Sequence, residues 1–270
     1  MEKIESILRD LEKRNDIKII YAIEAGSRAW GFESNDSDYD IRFIYIHENR
    51  KKYLSLTALK ETIDGFSDDR VYDWQGWDIT KCLKLIQKVN PTITEWLYSP
   101  IVYLIDDQFE NYIKHMKNLL IEQNRLSPLL NHYRSMAKSN YKSHIKGKNE
   151  VNIKKYLYVI RPIGMFQWLL NRPIKDSDVF YVNFDKVLHE LKPHLKENVN
   201  EKINEIIDFK RNSNEANLGS RIECIDEWIE DLLENKSIVE IEKNDSLNAE
   251  VGNHDKFDQL LHEILRVEFR

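Results

Sequence analysis

The sequence has few cysteines and no long apolar run, and both absences narrow the class of protein. The two cysteines, Cys82 and Cys224, lie far apart and outside any metal-binding spacing. We therefore expect free thiols in a reducing compartment and no zinc site. No apolar stretch approaches the roughly 20 residues of a membrane-spanning helix, and the charged N-terminus has no signal-peptide core. These features predict a cytoplasmic protein without a membrane partner.

An excess of positive charge is also absent. The chain has 270 residues and a net charge of −6, whereas a protein that clamps long nucleic acid is usually basic. The acidic balance favours a small substrate, or a nucleic acid that is held by a local basic patch. The length allows one large domain or two modest ones.

The most informative stretch is residues 24–42. An apolar run over residues 17–23 leads into Gly26-Ser27, and Asp38-Tyr39-Asp40 then opens a second apolar run. This pattern predicts a strand, a turn and a second strand. Alternate residues of a strand share one face, so the two acids are expected to project side by side.

Two carboxylates held side by side repel each other unless a positive charge relieves the repulsion. Mg²⁺ suits this position, because it prefers carboxylate oxygens and keeps coordination positions open for phosphate. Asp38 and Asp40 are therefore candidate metal ligands and catalytic residues.

The turn that precedes the acids offers groups for phosphate binding. Gly26 lets the backbone approach a ligand closely, and the Ser27 hydroxyl and the amides after it can donate to phosphate oxygens. Arg28 is expected to reach a phosphate or to pair with a nearby carboxylate. Ser37, in the polar loop directly before Asp38, is a further nucleotide-binding candidate that can also cap the strand entrance.

These residues resemble the signature of the DNA polymerase β-like nucleotidyltransferase superfamily, in which Gly-Ser is followed by Asp-x-Asp at the start of a strand. The longer strings Gly-Ser-Arg-Ala-Trp-Gly-Phe and Ser-Asp-Tyr-Asp-Ile-Arg are similar to one branch, predicted nucleotidyltransferases of bacteria and phages that are linked to RNA repair. Further segments that resemble this branch are Gly76-Trp77-Asp78, Asn90-Pro91, Glu95-Trp96-Leu97, Ser99-Pro100-Ile101-Val102-Tyr103, Lys154-Lys155-Tyr156 and Arg161-Pro162.

The resemblance implies a third carboxylate on a neighbouring strand. Asp73 is one candidate, because an acid among the β-favouring residues Val71, Tyr72 and Trp74 needs a partner or a metal. Asp78 is the other candidate, but it precedes a helical pattern and is readily explained as an N-cap. We favour Asp73 as the metal ligand and Asp78 as the cap.

The composition changes after residue 106, where strand-like runs give way to helical periods. We predict an α+β fold, with a catalytic α/β lobe (a small mixed sheet with helices) over residues 1–105 and a helical lobe over 106–270. A loose segment is expected near 234–255. The predicted helices of the second lobe cover roughly residues 107–123, 128–146, 151–171, 185–191, 196–211, 220–233 and 256–269.

The helical lobe carries a basic and aromatic cluster around Lys154, Lys155 and Tyr156. Solvated helix faces explain most of its cations. These three residues match the branch, however, and the resemblance implies that lysines and a tyrosine of this lobe hold the triphosphate and stack on the base.

The reaction implied by the resemblance is magnesium-dependent nucleotidyl transfer from an NTP to an acceptor hydroxyl, with two Mg²⁺ ions for which Mn²⁺ can substitute. The expected acceptor is the 3′ end of an RNA or tRNA. Two alternatives stay open, namely nucleotidylation of a protein or small molecule and a regulator that binds nucleotide without catalysis. The acidic charge balance counts modestly against RNA, and the complete set of acids counts against the regulator.

Overall fold

The computed structural model describes residues 1–123, 125–171, 180–212, 218–234 and 254–266. The chain divides into two compact units. The sheet unit comprises Met1–Ala29, Asp38–Asn124 and Glu250–Arg270, and the helical unit comprises Trp30–Ser37 and Arg125–Ala249. The assignment of a catalytic lobe to residues 1–105 and of a substrate-binding lobe to residues 106–270 stays a prediction. Nearly all of the loose segment expected near 234–255 lies outside the described residues.

A mixed sheet of five strands forms the centre of the sheet unit as far as the structure describes it. The strand order is β3-β4-β2-β1-β5, with β2 parallel to β4 and the other neighbours antiparallel. The central strands are apolar because both of their faces are covered. The strands are β1 (Ile17–Glu24), β2 (Tyr39–His47), β3 (Thr62–Phe66), β4 (Tyr72–Asp78) and β5 (Val102–Ile105).

Amphipathic helices complete the sheet unit. The first of them buries Ile4, Leu8 and Leu11 against the sheet, as its helical period predicts. Asn90 is the N-cap of the helix Pro91–Leu97, and its side chain accepts hydrogen bonds from the N–H groups of Thr92 and Ile93. The helices are α1 (Glu2–Asn15), α2 (Gly26–Trp30, which ends in the helical unit), α3 (Ile79–Gln87), α4 (Pro91–Leu97), α5 (Glu110–Glu122) and, near the end of the chain, α11 (His254–Arg266).

In the part of the chain that the structure describes, the helical unit contains the other helices and one small sheet of two strands. Its strands β6 (Glu150–Asn152) and β7 (Leu218–Ser220) pair antiparallel. Sequence periodicity does not predict them, because three residues are too few for an alternating pattern. The helices are α6 (Ser127–His144), α7 (Ile153–Asn171), α8 (Phe184–Leu191), α9 (Glu197–Asn212) and α10 (Glu223–Glu234).

The predicted α+β class is confirmed, since an N-terminal region of sheet and helices is followed by a helical part. The predicted helices are also found, with ends that differ by a few residues, and residues 267–269 of the last predicted helix lie outside the described residues. None of the helices in the described part of the chain combines the length and apolar character that crossing a membrane requires.

Asp78 lies at the junction of β4 and α3 and is completely buried. Its Oδ1 accepts from the Thr80 N–H at 2.8 Å and from the Thr80 hydroxyl at 2.5 Å, and its Oδ2 accepts from the Tyr53 hydroxyl at 2.6 Å. The expected N-cap is therefore present.

Replacing this cap tests its energetic role. We expect Asp78→Ala to lower the free energy of unfolding by about 2–4 kcal/mol, because a cap contributes about 1 kcal/mol and the Tyr53 hydroxyl loses its acceptor. Asp78→Asn keeps an acceptor for Thr80 and should cost less. Urea unfolding monitored by circular dichroism measures both values, and equal losses for the two variants would contradict the assignment.

Candidate active site

The register of β2 and β4 places two acids opposite each other. Asp40 and Asp73 are direct partners in this parallel pair, so their side chains leave the same face of the sheet. The Asp40 side chain is 32% exposed and the Asp73 side chain 48% exposed. Both carboxylates are therefore accessible, with Asp73 the more open of the two.

Asp38 lies just before β2 and is exposed. The pKa of Asp40 is raised mainly by burial, and the charges of Asp73 and Asp38 raise it further. All three predicted acids are thus close enough to interact electrostatically.

Arg42 bridges the two acids on the paired strands. Its Nη1 lies 2.5 Å from Oδ1 of Asp73, and its Nη2 lies 3.1 Å from Oδ1 of Asp40. The guanidinium opposes the rise in the Asp40 pKa. The sequence analysis did not identify this role, although the position of Arg42 two residues after Asp40 on the same strand face was available as a signal.

The Gly-Ser turn lies against the second acid. Gly26 has a φ of +61°, and a Cβ at this position would lie only 1.9 Å from Oδ2 of Asp40. The Ala25 N–H donates to the Asp40 carbonyl at 2.8 Å. Glycine is thus required here because the Asp40 carboxylate approaches the backbone closely, and Ser27 follows directly.

Glu24 holds the backbone of Asp40 in place. It is completely buried, and its carboxylate accepts from the Asp40 N–H at 2.7 Å and from the Tyr103 hydroxyl. Burial raises the pKa of Glu24 to about 7. The Ser99 hydroxyl donates to the Glu24 carbonyl at 2.6 Å. The sequence analysis did not identify Glu24, although an acid at the end of an apolar strand was available as a signal.

Arg28 lies beside the acids, next to Tyr39 and Asp38. Its guanidinium stacks 4.0 Å from the Tyr39 ring centroid, and its Nε donates to the Asp38 carbonyl at 3.2 Å. Tyr39 in turn stacks on Tyr72, with a centroid distance of 5.0 Å. Ile41 is buried, as its alternation with the acids predicts. The expected phosphate contact of Arg28 stays a prediction.

The other predicted nucleotide-binding residues belong to the helical unit. Lys154 and Lys155 open α7, where the Lys154 N–H donates to Asn152 and Lys155 lies 4.7 Å from the Tyr158 ring centroid. Tyr156 is completely buried. Its hydroxyl donates to Asp226 at 3.1 Å, so its ring is not available for base stacking in this arrangement.

Ser37 lies in a loop that α9 anchors within the helical unit. The Ser34 N–H donates to the Ser37 hydroxyl at 2.9 Å, and Lys210 Nζ donates to the Ser34 hydroxyl at 2.6 Å. Burial and the charge of Lys154 lower the pKa of Lys210. Ser37, Lys154 and Lys210 thus belong to one region, and sequence reasoning missed Lys210 because its partner is distant along the chain.

The same loop has further anchors. Arg211 Nε donates to the Gly31 carbonyl at 3.1 Å, and its Nη2 lies 2.7 Å from Asp185. Trp30 lies 4.2 Å from the Arg161 guanidinium, and Phe32 is buried. The aromatic residues of the motif are therefore packing residues.

The carboxylates of Asp40 and Asp73 are ligands that a hard cation prefers. The guanidinium of Arg42, however, already lies between them. Within the part of the chain that the structure describes, no three His, Cys, Asp or Glu side chains are arranged as a metal-binding group. The donor types thus fit Mg²⁺, while the guanidinium of Arg42 lies on the oxygens that such an ion would share.

Comparison with known proteins relates this geometry to a family. Residues 1–263 match the model of RlaP, described as the RNA repair pathway DNA polymerase beta family. The chain belongs to this family. The RlaP match confirms the resemblance inferred from the Gly-Ser and Asp-x-Asp strings. The chain is also similar to the uncharacterized protein YcgL of Bacillus subtilis (strain 168), with 36% identity over 237 residues that cover 86% of this chain and 85% of that protein.

The contact between Gly26 and Asp40 can be measured by a double-mutant cycle. Gly26→Ala should destabilise the fold more than Gly147→Ala, since both glycines have positive φ but a Cβ at Gly147 meets nothing within 4 Å. The positive φ alone costs roughly 1–2 kcal/mol. In an Asp40→Ala background, the additional cost of Gly26→Ala should disappear, because the carboxylate is gone. Additive effects in urea unfolding would contradict the close approach.

Proposed function

We propose that the protein is a magnesium-dependent nucleotidyltransferase that transfers a nucleoside monophosphate from an NTP to an acceptor hydroxyl at the 3′ end of RNA. The observation that carries this proposal is the pairing of Asp40 with Asp73 directly beside Gly26. Two acids that suit a metal ion thus lie beside a Gly-Ser turn that suits a phosphate group. The chain that contains them belongs to the RlaP family.

Asp38, Asp40 and Asp73 are the proposed ligands of two Mg²⁺ ions, for which Mn²⁺ can substitute. When bound, the ions would supply charge neutralisation at the acceptor and leaving-group oxygens. Asp73 is the proposed acceptor of the proton from the attacking hydroxyl. Its greater exposure, 48% against 32% for Asp40, supports this role because the acceptor must reach it from solvent.

Nucleotide-binding groups are proposed for each unit of the chain by itself. In the sheet unit, the Ser27 hydroxyl donates to phosphate oxygens, and Arg28 supplies a positive charge that its stacking on Tyr39 already orients. In the helical unit, Ser37, Lys154 and Lys155 bind the triphosphate. The contribution of Tyr156 is indirect, since its buried hydroxyl fixes the first turn of α7 through Asp226.

RNA is the proposed acceptor because the RlaP description names an RNA repair pathway. The net charge of −6 is compatible with a short contact at an RNA end. Catalysis would depend on positioning and charge neutralisation, since no covalent intermediate with the protein is needed. A cytoplasmic location stays a prediction.

The proposal predicts transfer of label from a nucleotide to RNA. We expect at least one of α-labelled ATP, CTP, GTP and UTP to label an RNA with a free 3′ hydroxyl when Mg²⁺ is present. An RNA whose 3′ end is blocked by phosphate should stay unlabelled. Gel electrophoresis with detection of released pyrophosphate measures both products.

Acid variants provide the controls for this assay. Asp38→Asn/Asp40→Asn and Asp73→Asn should abolish labelling, whereas Asp78→Asn keeps the cap and should retain it. Labelling by the double variant would overturn the proposed site. Label on protein would favour the alternative acceptor, and nucleotide binding without pyrophosphate release would favour a regulator.

The role of Lys154 is tested by steady-state kinetics. We expect Lys154→Gln to raise the KM for the transferred NTP by about tenfold, because it removes one charge-assisted contact to phosphate. Lys146→Gln removes an exposed lysine just after α6 and should leave KM unchanged. Equal KM values for the two variants would contradict a triphosphate contact by Lys154.

A further inference from the structure

We propose that Arg42 is a built-in counter-ion that competes with a divalent cation for the carboxylates of Asp40 and Asp73. In this assignment the guanidinium holds the two acids together when no metal is bound and thereby lowers the affinity of the site for metal. The inference rests on the proposed function, because it assumes that these acids are metal ligands.

The geometry of the bridge is specific to two oxygens. Nη1 of Arg42 lies 2.5 Å from Oδ1 of Asp73, and Nη2 lies 3.1 Å from Oδ1 of Asp40. Nη1 also donates to the Ile41 carbonyl at 3.0 Å. The Arg42 side chain is only 18% exposed, so the guanidinium is held in place between the acids rather than directed into solvent.

The two carboxylate oxygens of Asp40 face different neighbours, and Oδ1 is the one that Arg42 contacts. Oδ2 faces Gly26 so closely that a Cβ there would lie 1.9 Å away. An ion that joins Asp40 and Asp73 through their Oδ1 atoms must therefore occupy the place of the guanidinium. Arg42 has to move when such an ion binds.

The register of the strands directs Arg42 toward these acids. Its partner on β4 is Gln75, which carries no charge, whereas Asp40 precedes it by two residues on the same face. The guanidinium is planar and can donate to two carboxylates at once. Its single positive charge compensates one of the two negative charges, whereas a divalent ion compensates both, and this difference favours exchange when metal is present.

The affinity for Mn²⁺, measured by the electron paramagnetic resonance signal of the free ion, tests the proposal without requiring catalysis. Arg42→Gln should bind Mn²⁺ about tenfold more tightly than the wild-type protein. One neighbouring charge changes the affinity of a carboxylate for a positive ion by about tenfold or more. Arg42→Lys keeps the charge but not the double contact, and its affinity should lie between the two. Arg14→Gln, which removes an exposed partner of Asp10 on α1, should leave the affinity unchanged.

Thermal unfolding provides a second measurement on the same variants. In EDTA, Arg42→Gln should have a lower Tm than the unchanged protein, because the acids then repel each other. Saturating Mn²⁺ should raise its Tm by more than it raises the Tm of the unchanged protein. If Arg42→Gln does not fold, the comparison of Arg42→Lys with the unchanged protein decides the question.

The outcomes separate this inference from the proposed function. Equal or weaker Mn²⁺ binding by the Arg42 variants, with labelling of RNA intact in the unchanged protein, would overturn the counter-ion role alone. Absence of Mn²⁺ binding in every variant would overturn the proposed metal site, and the counter-ion role with it.

Discussion

The parallel pairing of β2 with β4 is the constraint on which the candidate site depends. A shift of one residue in this register would move Asp73 to the opposite face of the sheet and separate it from Asp40. The side chains of Tyr72 and Trp74 on β4 resist such a shift, because they pack against the core and the same movement would turn them to the opposite face. The hydrophobic core of the sheet unit therefore fixes the relative position of the two acids.

Asp40 is held by more contacts than any single motif suggests. Its N–H donates to Glu24, its carbonyl accepts from Ala25, and its carboxylate lies between Gly26 and Arg42. Backbone and side chain are thus fixed by separate partners. An acid positioned in this way needs little reorganisation when charge develops near it, and such preorganisation is the main source of electrostatic catalysis.

The sequence was sufficient for the parts of the fold that local periodicity encodes. It predicted the strands around the motif and the capping of α3 by Asp78, and it supplied Asp73, which lies opposite Asp40. The contact of Arg42 with Asp73 was missed because it depends on strand register, although the spacing of Arg42 from Asp40 was visible in the sequence. The burial of Tyr156 was missed because it depends on Asp226, far along the chain. Long-range pairings of this kind leave no short-range pattern in a single sequence.

The loop Trp30–Ser37 has a consequence for how the protein is made. Ser34 and Gly31 receive hydrogen bonds from Lys210 and Arg211, across separations of 176 and 180 residues. Contacts between such distant residues form late, because a long chain segment must close first. During synthesis the loop therefore lacks these anchors until residue 211 has left the ribosome, so the early-made motif reaches its final order only when most of the protein exists.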